Sequence, residues 1–261
     1  MSVGVDFDFA KWIAQRRGAQ EQQAREGAAY AFAPERSFRR TLAIARPVTM
    51  ALEATTRLWK DHAREELLAK ATAVTDEQLP RIHAAAKRAG GALRVRVPAI
   101  FGVTDDEFTV NVLGTEDAPH LLVNTKLAEQ LSDAELTAAI GHELGHVQNG
   151  HILFTTALYY LTKSAAFYVR WVVQPAIMTL RAWGKRAELT CDRAALLAVR
   201  DVEAARSSLH KVGEAAGSAR IALREKALEL FASSALYATV IGVDPTGRPS
   251  LIDIDKQVGD L

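Results

Sequence analysis

Between residues 131 and 147 the apolar positions Leu131, Leu136, Ile140, Leu144 and Val147 recur at intervals of three, four or five. That is the period of a helix with one face turned toward a core. Ser132 followed by Glu135 forms a capping box at its start, and Asn149-Gly150 supplies a left-handed stop. The pattern predicts a helix from about 133 to 149. Upstream, "TDEQLPRIHAAAKRAG" predicts another over 75–89, closed by a Gly90-Gly91 turn. Between the two lie short alternating or β-branched runs, "LRVRVP" from Leu93, "EFTVNVLG" from Glu107 and "HLLVN" from His120. "VTDDE", residues 103–107, and "GTEDAP", 114–119, read as the loops between them. Three such strands make a small sheet, one edge of which can hold a peptide by strand addition.

Three regions follow from the same reading. Residues 1–74 form a helical N-terminal extension, in which "KWIAQRRGAQEQQAREGAAYAF" and "VTMALEATTRLWKDHAREELLAKA" are broken at Pro34 and Pro47. Residues 75–200 form a core of helices and a sheet of three or more strands packed on the 133–149 helix. Residues 201–261 form a helical subdomain to about Val240 and a tail, "GVDPTGRPSLIDIDKQVGDL". The expected class is α+β, mainly α. The tail and the N-terminal region are each candidates to lie in a cleft and keep the protein latent.

The predicted central helix carries chemistry. His142 and His146 are four apart and project from one face, close enough to hold one zinc ion. Glu143 points beside the metal, where it can take a proton from water attacking a carbonyl. Gly141 and Gly145 each cost about 1 kcal/mol inside a helix, and the close approach of another element would explain them. His151 lies beyond the helix stop and fits a polar role near the negative helix end better than a ligand role. A third ligand is found more readily in "KRAELTCDRAALLA", residues 185–198, where Glu188 and Asp192 are four apart on a helical face. Glu188 is the candidate ligand, and Asp192 the acceptor for the free ring N–H of a ligand histidine. Cys191 beside them reads as a small buried side chain.

"LTAAIGHELGHVQNGH" followed by "RAELTCDRAALLA" resembles the gluzincin metallopeptidases that include the CAAX prenyl proteases and the bacterial membrane heat-shock proteases. Their pattern is H-E-x-x-H, a histidine five residues on, then E-x-x-x-D on a later helix. His142, Glu143, His146, His151, Glu188 and Asp192 match it. "TDEQLPRIHAAAKRAG" resembles a leading helix of that family, and "PHLLVNTKLAEQLSDAEL" its edge strand and short helix. The resemblance implies a zincin-like core, one zinc ion and hydrolysis of peptide bonds in a protein or peptide laid along an edge strand. Such relatives often end with a His-Pro and a later Arg, where this chain has Asp244, Pro245 and Arg248. A group that steadies the tetrahedral oxyanion is expected, with Arg248 and His210 as candidates. Loss of the C-terminal histidine favours an alternative from another class, a zinc-stabilised binding or chaperone-like module without turnover.

Many relatives span a membrane between the two metal-binding helices. Here the 152–183 stretch is strongly apolar, yet Lys163, Arg170 and Gln174 interrupt it. Its longest charge-free run, Ile152 to Thr162, falls short of the ~20 residues a span needs. Three readings stand for it: a helix pair in a soluble core, a cleft wall or oligomer contact, and a surface resting on lipid headgroups. The chain is 49% hydrophobic, and 32 basic against 31 acidic residues leave a charge of +1 that gives no reason to expect nucleic acid. Arg36, Arg39 and Arg40 read as a solvated face. The opening "MSVGVDFDFAKWIAQRRG" has acids where an export signal has an apolar run, and the single cysteine rules out an internal disulfide. A cytoplasmic, optionally membrane-peripheral, enzyme is the expectation.

Overall fold

The computed structural model describes residues 27–42, 45–59, 64–105, 108–164, 170–215, 217 and 220–261. Twelve helices among them enclose one small sheet: α1 Ala33–Leu42, α2 Arg46–Leu58, α3 Arg64–Leu68, α4 Pro80–Leu93, α5 Thr125–Gln130, α6 Asp133–Gln148, α7 Ile152–Ser164, α8 Arg170–Val199, α9 Val202–Ala215, α10 Ile221–Ala232, α11 Ala235–Ile241 and α12 Leu251–Gly259. The strands β1 Thr72–Ala73, β2 Ala99–Val103, β3 Val110–Thr115 and β4 Ala118–Asn124 lie in the order β1-β2-β4-β3. Strands β2 and β4 are parallel, and the other pairs antiparallel. The fold is α+β and mainly helical. Pro34 stands in the first turn of α1 and Pro47 in that of α2, positions where the missing N–H costs nothing. Most of the predicted 11–32 helix falls outside the described residues, and Gly27 to Phe32 are not helical.

Two strand expectations are corrected. "LRVRVP" is not a strand, because α4 runs on through Gly90 and Gly91 to Leu93 and the chain reverses at Arg94, whose φ is 55°. The 94–98 segment folds back on the helix. A Cβ on Gly90 would meet Val97 Cγ2 at 2.4 Å, so glycine there makes the close return possible. Pairing begins only at Ala99. The β4 segment, expected to be an edge, is interior: it pairs with β2 on one side and β3 on the other, and Leu121, Leu122 and Val123 are fully buried. The edge nearest the candidate metal ligands is β3, whose Val112 N–H donates to Glu143.

Helix α6 is the central helix, and its predicted bounds match. Ser132 accepts from the Glu135 N–H while Glu135 accepts from the Ser132 N–H, completing the capping box. Its burial extends beyond one face, with Leu136, Ala138, Ala139, Ile140 and Leu144 all shielded. The core around Leu136, Ala139, Ile140 and Leu144 also takes in Ala28, Tyr30, Leu121, Leu196, Phe231 and Tyr237, so all three sequence regions share it. Helix α8 lies against α6 where the glycines are. A Cβ on Gly141 would stand 2.5 Å from that of Ala198, and one on Gly145 2.8 Å from that of Ala194.

Within the 152–183 stretch, residues 152–164 form α7 and residues 170–183 the first half of α8. Ala157, Leu180 and Trp183 join Leu42 and Val48 in a buried cluster, as the first of the three readings has it. Thr155, Leu158 and Tyr159 also line a cleft, as the second has it. No helix among the described residues is long and apolar enough to cross a membrane. The tail helix α12 packs Ile254 and Val258 against Phe32, Leu189 and Ala227, away from the cleft. The described part of the tail therefore does not plug it.

Gly141→Ala is expected to lower stability by about 1–3 kcal/mol through overpacking against Ala198, despite its better helix propensity. An unchanged or raised urea midpoint would contradict the close approach. Glu135 supplies a pH test. Burial raises its carboxyl, but the Lys211 ammonium at 2.8 Å, Ser207 and Ser132 outweigh that and hold it at about 2. Its stabilising effect is therefore complete above the ordinary value of 4.5 and is lost as pH falls from there toward 2. Glu135→Gln should unfold more readily than wild type at pH 7, with the gap closing over that interval. A gap constant with pH would refute the ionic contribution.

Candidate metal centre

Four residues per near-turn place His142 and His146 on the same side of α6, and the same spacing places Glu188 and Asp192 on the facing side of α8. Because the two helices touch through small residues, these four side chains meet. Glu188 Oε2 lies 3.4 Å from His142 Nε2, and Glu188 Oε1 lies 3.7 Å from His146 Nε2. Asp192 Oδ1 is 3.1 Å from His142 Nδ1. The Glu188 side chain is 36% exposed, so the cluster opens outward. It faces a cleft of about 420 Å³ walled by β3, α6, α7, α8, α9 and α10.

Glu143 reaches toward β3, where its Oε2 accepts from the Val112 N–H at 2.7 Å. The next outward donor of that edge, the Gly114 N–H, is held by Thr156 Oγ1 at 2.9 Å. Both donors are already engaged, so a peptide adding as a strand at β3 must exchange these partners. Burial pushes the Glu143 carboxyl up to about 7, with Glu188 reinforcing the shift and His142 opposing it. A carboxyl in that range is matched to taking and returning a proton near neutrality.

Sequence reading missed Arg224 on α10. Its Nε and Nη2 donate to Asp192 at 2.8 and 2.6 Å, and its Nη1 lies 3.0 Å from Glu188 Oε2. Burial raises the Glu188 and Asp192 carboxyls, yet Arg224 and His142 outweigh it and hold both below their ordinary values. Burial would lower His142, but Asp192 and Glu188 push it up to about 10. Burial holds His146 well below the imidazole range, against the pull of Glu188. No motif marks Arg224, which is one of 32 basic residues with 31 residues between it and Asp192.

Cys191 is a second possible third donor, since ligand atoms of His142, His146 and Cys191 lie within 4.8 Å of one another. Its Sγ sits 3.9 Å from His151 Nδ1, which is in turn 3.2 Å from His146 Nδ1. The thiol thus borders the His151 ring, whereas Glu188 faces the Nε2 atoms of both His142 and His146. Burial, reinforced by the surrounding carboxylates, also pushes the thiol well up, away from the thiolate that binds metal. His151 follows the end of α6, as expected, and is fully buried there. The structure does not bring the two oxyanion candidates to the cleft. His210 pairs with Glu225 at 3.1 Å, and Arg248 is exposed on the loop before α12.

Comparison with known proteins agrees on one family. Residues 78–239 match peptidase family M48. Over 145 residues the chain is 32% identical to "Plastoglobule-localized metallopeptidase 48, chloroplastic" of Arabidopsis thaliana. The matched stretch covers 53% of this chain and only 42% of that relative. No solved structure is a significant match.

Arg224→Leu should destabilise the metal-free protein by about 3–5 kcal/mol, the cost of leaving buried carboxylates without their cation. Urea unfolding of chelator-treated protein measures this, and an unmoved midpoint would show that Arg224 does not hold the cluster together.

Proposed function

This chain belongs to peptidase family M48, and from that premise we propose that it is a zinc-dependent endopeptidase acting on protein or peptide substrates. The observation that supports this reading is the convergence of two imidazole Nε2 atoms on the Glu188 carboxylate, with Glu143 beside them at the cleft. Two imidazoles and one carboxylate suit zinc and leave room for a fourth partner. His142, His146 and Glu188 hold the ion, rather than Cys191, because Glu188 places an oxygen 3.4 and 3.7 Å from the two Nε2 atoms and is ionised, whereas the buried thiol keeps its proton. Asp192, charge-balanced by Arg224, keeps the His142 proton on Nδ1 so that Nε2 is free to bind.

A bound zinc ion supplies Lewis acidity toward a water molecule and toward the scissile carbonyl. Everything else falls to the protein. The Val112 N–H anchors Glu143 Oε2 and leaves Oε1 for proton transfer. Glu143 takes the proton of the attacking water and passes it to the departing amine nitrogen. The substrate lies between β3 and α7, where Phe108, Val110, Leu158 and Tyr159 favour apolar side chains.

Glu143→Gln keeps the shape of the site while losing the base. Its cleavage of an unfolded protein or a peptide library should fall by roughly 10²–10⁴-fold at undiminished zinc content. Equal cleavage by this variant would refute the assigned base. Zinc in both proteins with cleavage in neither would instead support a zinc-stabilised binding module, the alternative that the missing C-terminal histidine favours.

A further inference from the structure

Behind His146, on the side away from the cleft, lies a buried polar chain that the reaction above does not use. His151 Nδ1 is 3.2 Å from His146 Nδ1, and its Nε2 is 3.3 Å from Glu35 Oε1 on α1. Both residues are wholly shielded from solvent. Trp183 ties the pair in place: its Nε1–H donates to Glu35 Oε1 at 2.9 Å, and its ring meets that of His151 edge-on at 5.1 Å. A carboxylate buried so completely is costly, and although Arg39 Nε lies 3.9 Å from Glu35 Oε1, Glu35 Oε2 and His151 Nε2 have no aligned hydrogen-bond partner among the described residues. Such a group calls for a reason beyond packing.

The reason follows from proton bookkeeping around two rings. A neutral imidazole carries one proton, so a His146 ring that offers Nε2 to a metal must keep its proton on Nδ1. That N–H faces His151 Nδ1, which must then be the acceptor. His151 is left with its proton on Nε2, and the group facing Nε2 is the Glu35 carboxylate. Each assignment leaves no freedom in the next. His142 Nδ1 is oriented directly by Asp192, whereas His146 Nδ1 meets, among the described residues, a second imidazole that in turn faces a carboxylate.

We propose that Glu35, acting through His151, is a positioning residue that fixes the tautomer and orientation of His146 for metal binding. The N-terminal helix α1 is on this account part of the metal centre. The proposal rests on the zinc-site reading above, and zinc binding separates the two. Groups that pair directly with a ligand histidine, as His151 does here, are typically worth about 10–100-fold in metal affinity.

The test is zinc affinity by chelator competition on the full chain, for wild type, Glu35→Gln, His151→Phe and the double variant. The thermal midpoint of each metal-free protein is measured alongside. Each single variant should weaken zinc binding by about tenfold or more, and the double variant should be no weaker than His151→Phe alone, because Glu35 acts only through that ring. Glu35→Gln within twofold of wild type, or single effects that multiply in the double variant, would overturn the relay. Nitrogen-15 NMR of the zinc-loaded wild type gives the answer without any variant that must fold. His151 should be protonated on Nε2 and bare on Nδ1, and the opposite tautomer overturns the proposal. A wild type that takes up no zinc would overturn the site reading itself, a result distinct from zinc uptake that ignores Glu35.

Discussion

The contact on which the rest depends is the close approach of α6 and α8 along Gly141, Gly145, Ala194 and Ala198. A helix carrying two histidines holds nothing by itself. It must be brought within reach of a second helix carrying carboxylates, and ordinary side chains at the crossing would hold the two axes apart. Glycine at both α6 positions removes that barrier at a cost in helix propensity of about 1 kcal/mol each. The penalty falls on a helix that is capped at its start and buried along most of its length, so it can be carried. The small residues and the candidate ligands alternate on the same two helices, and packing and chemistry are one arrangement.

Bringing those helices together crowds charge into a poorly solvated space. Glu143, Glu188 and Asp192 would repel one another if nothing balanced them. Arg224 and His142 do so, and they act unevenly. Glu188 and Asp192, which touch the guanidinium, are held ionised, whereas Glu143, bonded among the described residues to a backbone N–H, has its pKa lifted to about 7. Three carboxyls within one cluster thereby acquire different proton affinities, which is the condition for one of them to exchange protons while the others keep their charge. The N-terminal helix adds a fourth carboxylate, Glu35, on the far side of His146.

Local signals in the chain had uneven reach. The capping box at Ser132, the stop at Asn149-Gly150 and the four-residue spacings were legible because each is decided within one or two turns of backbone. The strands were legible as apolar runs but not in their roles. The "LRVRVP" segment has the alternation of a strand and folds instead against α4, since Val97 finds its place over Gly90. The β4 segment reads as an edge until its two neighbours are known. His151 reads as a polar residue near a helix end, and only the packing of α1 and Trp183 shows it to be enclosed.

What the sequence by itself determined is the ordered part of the centre: a histidine pair with its adjacent glutamate on one helix, and a glutamate and aspartate on another. Their spacing follows from helical geometry and needs no third dimension beyond it. Which face those helices turn to each other, and what else arrives there, was decided by tertiary structure alone. Arg224 and Glu35 reach the cluster from α10 and α1, elements whose own patterns carry no chemical signal. Their selection depends on long-range packing of apolar surface, and buried charge must find its partner wherever that packing puts one.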